Sequence, residues 1–62
     1  MRTVTVEFVG DYFVFASTVT CEKEDSDDFI EVRTLQFVKD YYGWDLEGKY
    51  SECNIFEAEE TN

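Results

Sequence analysis

Val4-Thr5-Val6-Glu7-Phe8-Val9-Gly10-Asp11-Tyr12-Phe13-Val14-Phe15 is the stretch that decides the fold. Apolar and polar side chains alternate before the glycine, which is typical of a half-buried strand. Gly10-Asp11 is a hairpin signal, because glycine supplies the positive φ that a primed two-residue turn needs. Such a turn pairs Val9 with Tyr12 and Phe8 with Phe13, and it collects the apolar side chains on one face. The predicted core face is Val4, Val6, Phe8, Phe13 and Phe15.

The second strand is predicted from Tyr12 to about Glu22, and residues 22–28 follow it as a charged loop. Ser26 in this loop is a candidate helix N-cap, because its hydroxyl can accept from a free backbone N–H. The next two residues, Asp27 and Asp28, would then lie in the first helical turn, where the helix dipole favours anions. The loop therefore predicts the start of a helix.

Residues 29–44 allow two interpretations. Their β-branched and aromatic residues favour a strand, which would give a four-stranded antiparallel meander. At 3.6 residues per turn, however, apolar positions gather on one helical face, made of Ile30, Thr34, Phe37, Val38 and Tyr41. A helix of this length spans about 24 Å, which matches a strand of seven or eight residues at about 23–26 Å. Gly43 is a natural helix stop, and we favour the helix.

A third strand is predicted over residues 50–59, and its inward face stays open between Cys53 with Ile55 and Phe56 with Ala58. The element order β-β-α-β predicts a small two-layer α+β domain that occupies residues 1–62. One helix covers one face of a three-stranded antiparallel sheet in the order 2-1-3, with the first strand in the middle. The opposite sheet face is left to solvent or to a partner.

The composition combines a net charge of −10, from fifteen acidic and five basic residues, with eleven aromatic residues. That charge would be repelled by nucleic acids and by anionic membranes and attracted to basic proteins. The longest apolar runs fall short of the ~18–20 residues of a membrane span, and Met1-Arg2-Thr3-Val4 shows no signal peptide. We therefore expect a cytoplasmic protein in which Cys21 and Cys53 are reduced thiols, with one disulfide as the alternative.

Catalysis and metal binding are not expected. The chain has no histidine, and its serines lack a recognisable activating base. Asp25-Ser26-Asp27-Asp28 is similar to the start of a calcium loop, but Phe29 and Ile30 stand where such a loop has a ligand and a glycine. The sequence predicts a protein that is not an enzyme and that carries no cofactor.

Two surfaces are the candidate partner sites. The first is acidic and would attract a protein with a basic surface, with imitation of the charge on DNA as one version; its residues are Glu22, Glu24, Asp25, Asp27, Asp28, Glu31, Glu52, Glu57 and Glu59. The second is the apolar strip of Val9, Tyr12 and Val14 on the uncovered sheet face. This strip leaves a homodimer, or a self-assembling structural protein, as the alternative to an interaction module.

Three features together resemble the short acidic, mostly uncharacterised proteins of tailed phages, notably those that infect cyanobacteria. They are the N-terminal hairpin, the segment Phe37-Val38-Lys39-Asp40-Tyr41-Tyr42-Gly43-Trp44-Asp45-Leu46 and the acidic last strand. The resemblance covers most of the chain through motifs of low specificity. It implies a ββαβ fold, a viral origin and a protein that binds, inhibits or redirects a component of the host cell.

Overall fold

The computed structural model describes residues 2–58, and within them the chain forms three strands and one helix. In chain order these are β1 (Arg2–Val9), β2 (Val14–Cys21), α1 (Asp27–Tyr42) and β3 (Glu52–Glu57). Both neighbours of β1 pair with it antiparallel, in the sheet order β2-β1-β3. The α+β fold and the sheet order predicted from the sequence are confirmed. The four-stranded meander is wrong, because residues 27–42 are helical.

The hairpin turn lies one residue later than predicted. Val9 pairs with Val14 and Phe8 with Phe15, and the N–H of Gly10 donates to the carbonyl of Phe13 at 2.9 Å. The turn is therefore centred on Asp11 and Tyr12. Every β1 residue pairs with a β2 residue two positions later in the sequence than the predicted partner. A shift of two preserves the faces of a strand. The predicted pairing is wrong, but the predicted inward face survives.

Gly10 is needed for space rather than for a left-handed backbone. The positive φ predicted there is wrong, since Gly43 and Gly48 are the glycines of the described chain that adopt one. A Cβ added at Gly10 would lie 2.2 Å from Cε1 of Phe13, which is inside van der Waals contact. The turn therefore folds the Phe13 ring back over the glycine.

The core lies between the sheet and α1. Val4, Val6 and Phe8 of β1 are fully buried, and Ile30 and Cys21 complete the buried cluster. Half-buried apolar side chains surround it: Phe13, Phe15, Val19, Leu35, Leu46, Tyr50, Cys53 and Ile55. β1 is the central strand, and its inward face is apolar from Val4 to Phe8.

The ends of α1 follow the local sequence signals. Ser26 is the N-cap, and its hydroxyl accepts from the N–H of Phe29 at 3.2 Å. Asp27 and Asp28 occupy the first turn, where they oppose the positive end of the dipole. Gly43 ends the helix with φ +75°, and its N–H donates to the carbonyl of Lys39. The predicted caps are confirmed.

The buried stripe of α1 is narrower than predicted. Ile30, Thr34 and Val38 are buried, and the Thr34 hydroxyl donates to the carbonyl of Ile30 at 2.7 Å. Phe37 and Tyr41, also predicted to face inward, are 43% and 71% exposed. The sheet is too narrow to cover them, because β2 is its edge strand on that side.

β3 is shorter than the predicted span of residues 50–59, and Glu59 lies outside the described residues. Cys53 and Ile55 pack against the core, whereas Phe56 is about half exposed on the opposite face. This assigns the inward face that the sequence left open. Cys21 and Cys53 are both free thiols, as expected. In the described part of the chain, α1 is neither long nor apolar enough to cross a bilayer.

Candidate functional site

The loop between β2 and α1 is held in one shape at both of its ends. The Asp25 carboxylate accepts from the N–H of Glu22 at 2.9 Å, and the Asp25 N–H donates to the carbonyl of Glu22. One residue later, Ser26 caps the helix. The guanidinium of Arg33 lies 3.8 Å from Asp25, whose side chain is mostly buried. Asp25 therefore stabilises the loop and, unlike its acidic neighbours, exposes little of its carboxylate to a partner.

Four other carboxylates are exposed here, two on the loop and two on the first turn of α1: Glu22, Glu24, Asp27 and Asp28. We call this set the acidic pole. Lys23 lies among them, but one positive charge does not cancel four carboxylates, so the net charge of the pole is negative. Because the loop is fixed by Asp25 and Ser26, these carboxylates are presented in a defined arrangement, which is what recognition of a charged surface requires.

Glu57 lies at the same end of the sheet as the acidic pole, but its carboxylate is already paired with a guanidinium. Arg2 pairs with Cys21 at the end of β2, and its Nε lies 2.6 Å from Oε1 of Glu57. This hydrogen bond raises the pKa of the Arg2 guanidinium above its ordinary value. Glu57 lies near the acidic pole without adding to its free charge.

Glu31 does not belong to the acidic surface. It is half-buried on α1 and accepts a hydrogen bond from the Tyr50 hydroxyl. Burial, together with this carboxylate, raises the pKa of Tyr50 above its usual range. Burial and the nearby Glu31 charge also raise the pKa of Cys53 to about 11. The structure turns Glu31 inward, where it links α1 to the segment before β3.

Glu52 lies at the opposite end of the sheet, paired with Val9. The sequence grouped it with Glu57 and Glu59, but a strand of six residues separates its ends by about 17 Å. Other exposed carboxylates lie in the turns and connecting segments outside the pole: Asp11, Asp45 and Glu47.

The uncovered sheet face carries the predicted apolar strip only in part. Val14 is 65% exposed and Val9 is half-buried, and Phe56 lies on the same face. Tyr12 is 99% exposed in the turn and is not part of a strand. Two threonine pairs across β1 and β2 occupy much of the remaining face: Thr3 with Thr20, and Thr5 with Thr18.

A third surface was not predicted, because the sequence placed Phe15, Phe37 and Tyr41 on inward faces and gave Tyr42 and Trp44 no surface role. At the end of α1, the rings of Phe37 and Tyr41 stack with centroids 5.4 Å apart, and those of Tyr42 and Trp44 stack at 5.2 Å. Phe15 contacts Tyr42 edge-on at 5.6 Å. Beside this aromatic cluster, a groove of about 300 Å³ lies between the second half of β2 and α1. The dense aromatic run after residue 36 is the signal that could have indicated it.

Within residues 2–58, the carboxylates and thiols do not gather into a group that could hold a metal ion. Comparison of the chain with protein-family models, with curated proteins and with solved structures finds no match.

Proposed function

We propose that this protein is a non-enzymatic, phage-type accessory module that binds a basic surface on a protein of the host cytoplasm. The acidic pole carries the proposal, because it presents four exposed carboxylates on the loop after β2 and the first turn of α1, in a chain of net charge −10. The resemblance to small acidic phage proteins supports the accessory role. Binding to the basic surface would modulate or inhibit the host protein.

Charge of this kind acts mainly on encounter and on the choice of partner. Complementary potentials raise association rates, and like charge rejects wrong partners, including nucleic acids and anionic membranes. Where the host protein is a DNA-binding protein, the pole would imitate part of the phosphate array, which carries one charge per ~1.7 Å of duplex. The exposed position of the four carboxylates favours binding over acid–base catalysis, which uses buried groups with shifted pKa values.

A charge-matched pair of variants tests the proposal. The pole variant neutralises the acidic pole through Glu22→Gln, Glu24→Gln, Asp27→Asn and Asp28→Asn. The control variant makes the same change in charge elsewhere through Asp11→Asn, Asp45→Asn, Glu47→Gln and Glu52→Gln. Each protein is immobilised and used for affinity capture from host lysate at increasing salt.

We expect wild type and the control variant to capture the same basic protein, with capture weakened by moderate salt. The pole variant should lose it. Release of the captured protein by duplex DNA would identify DNA mimicry. Equal capture by both variants, or salt-independent capture of an acidic protein, would contradict the proposal.

A self-assembling structural protein that uses its open sheet face is the second candidate function. It is favoured by the exposed side chains of Val14 and Phe56 on the face that α1 leaves uncovered. Thr5 lies at the centre of this face, paired with Phe56. Thr5→Lys would place a charge there and should prevent assembly, which sedimentation would measure.

A further inference from the structure

We infer that the free edge of β2 pairs with the same edge of a second copy of this chain, forming a two-fold symmetric dimer. The dimer would have a continuous six-stranded sheet with both helices on one face. This inference uses the edge of β2, which ends beside the acidic pole but includes none of its four carboxylates, and it does not depend on the function proposed above.

The first support is the direction of the backbone groups in β2. The carbonyls of Thr3 and Val9 accept bonds from the β3 side, and alternate residues of an antiparallel strand bond to opposite neighbours. Even-numbered β1 residues therefore form their hydrogen bonds with β2, where their partners are the odd-numbered residues 15–21. The even-numbered β2 residues direct their N–H and C=O groups to the free edge: Val14, Ala16, Thr18 and Thr20. Unpaired edges of this kind are templates for strand addition.

The second support is the composition of this edge. β2 is eight residues long and has no charged residue and no proline, in a chain where charge is otherwise dense. Natural edge strands are usually protected by charges, prolines or bulges. An unprotected edge in so acidic a protein is consistent with an edge that is normally covered.

Symmetry then fixes the register. In antiparallel pairing, opposite residues lie on the same sheet face, so two β2 residues that pair across the seam are an even number of positions apart. The two-fold axis lies midway between them and therefore passes through a residue of β2. An axis at Ser17 pairs Val14 with Thr20 of the second copy and Ala16 with its Thr18, which uses all the outward-facing groups. An axis at Thr18 would place Val14 opposite a Glu22 and leave part of the edge unpaired.

The same axis also fixes where the charged residues of the two copies lie relative to each other. It places their acidic poles at opposite ends of the seam, and the two Cys21 positions are about 27 Å apart at about 3.4 Å per residue. This exceeds the Debye length of about 8 Å at physiological salt. The axis also brings the turn that carries Asp11 level with Lys23 of the second copy. Glu22 and Glu24 flank that lysine, so Asp11 of each copy meets charges of both signs while the two acidic poles stay apart.

The aromatic cluster and the groove complete the fit. The groove is lined by the second half of β2 together with Ile30, Arg33 and Phe37. Tyr41 lies toward the first half of β2, because its neighbour Tyr42 contacts Phe15. The two-fold axis sets the first half of one β2 against the second half of the other. Tyr41 of each copy, 71% exposed here, therefore faces the groove of the other and fills it.

Sedimentation equilibrium of the purified protein tests this dimer, at micromolar to millimolar chain concentration and at low and moderate salt. Wild type should have twice the 7.3 kDa mass of one chain, and association should tighten with salt because the net charges repel. Tyr41→Lys should weaken dimerisation at least about tenfold, as loss of an interface anchor does. Val32→Lys, at another exposed site on α1, makes the same change in charge and should leave the dimer intact.

Thr18→Pro is the second variant, because it removes an outward-facing N–H without breaking the β1–β2 ladder. It should also give a monomer. A wild-type protein that stays monomeric at millimolar concentration and moderate salt would overturn the inference. So would equal effects of Tyr41→Lys and Val32→Lys, or a dimer broken by Thr5→Lys alone, which would assign it to the open sheet face. The pole variant should dimerise at least as tightly as wild type, so this test and the capture test fail independently.

Discussion

The hydroxyl of Tyr50 donates a hydrogen bond to the carboxylate of Glu31, and the Tyr50 ring packs edge-on against Phe8 at 4.8 Å. One side chain therefore joins α1, the central strand and the segment that leads into β3. Glu31 is half-buried, and this hydrogen bond compensates its carboxylate for part of the water that it loses. The contact removes Glu31 from the acidic surface and makes it part of the fold.

Tyr50→Phe keeps the ring and removes this hydrogen bond. We expect the free energy of unfolding to fall by about 1–2 kcal/mol, because a partly buried carboxylate loses its donor. Tyr12→Phe is the matched control, since Tyr12 is 99% exposed, and it should leave stability unchanged. Urea unfolding measures both variants, and equal stabilities would show that the bond contributes nothing.

Gly10→Ala should destabilise the hairpin, because the new Cβ would collide with the Phe13 ring. Overpacking of this kind costs about 1–3 kcal/mol. Phe13→Leu should relieve part of the cost, so the double variant should be more stable than the sum of the two single changes predicts. Thermal unfolding of the four proteins gives the coupling, and strict additivity would place the cause elsewhere.

Ser26→Ala should weaken the start of α1 by about 1 kcal/mol, because the N–H of Phe29 loses its acceptor. For a domain of this size, that corresponds to a fall in Tm of about 4–8 °C. Ser26→Asn keeps an acceptor at the cap and should stay close to wild type. A fall of the same size in both variants would argue against the cap as the cause.

The protein should lose stability as the solution becomes alkaline. Burial raises the pKa of Cys53 from its ordinary 9.0 to about 11 in the folded state. Above pH 9 the unfolded chain therefore releases this proton first, and the folded state loses relative stability until the pH passes about 11.

The raised pKa of Tyr50 extends this loss to higher pH. Cys53→Ala should reduce the loss between pH 9 and 11, where the thiol contributes. Urea unfolding under reducing conditions, at stepped pH, measures the slope for both proteins. An unchanged slope in Cys53→Ala would mean that the thiol titrates alike in both states.

Salt should stabilise the fold. The net charge of −10 repels itself in the compact state, and the Debye length falls from about 30 Å at 0.01 M salt to about 8 Å at 0.15 M. The Tm of wild type should therefore rise between these conditions at low protein concentration. The pole variant should rise less, because it carries fewer like charges, and a larger rise there would contradict the explanation.

The alternation through Val4, Val6 and Phe8 determined the central strand, and the Ser26 and Gly43 signals determined the ends of the helix. These features depend on neighbours in sequence, where side-chain period and backbone capping act directly. A one-residue error in the turn did not disturb the faces, because it moves the partner strand by two positions. The β-β-α-β order then left the central strand as the natural partner of both others.

The tertiary structure alone decided which acidic and aromatic residues are available to partners. Glu31 and Glu57 look like surface charges in sequence, yet Tyr50 and Arg2 bind them. Tyr41 looks like core at helical spacing, yet a three-stranded sheet is too narrow to cover it. Exposure depends on the width of the opposing layer and on contacts between residues distant in sequence, which local patterns do not encode. The sequence determined how much negative charge the surface carries, and the fold determined where it stays free.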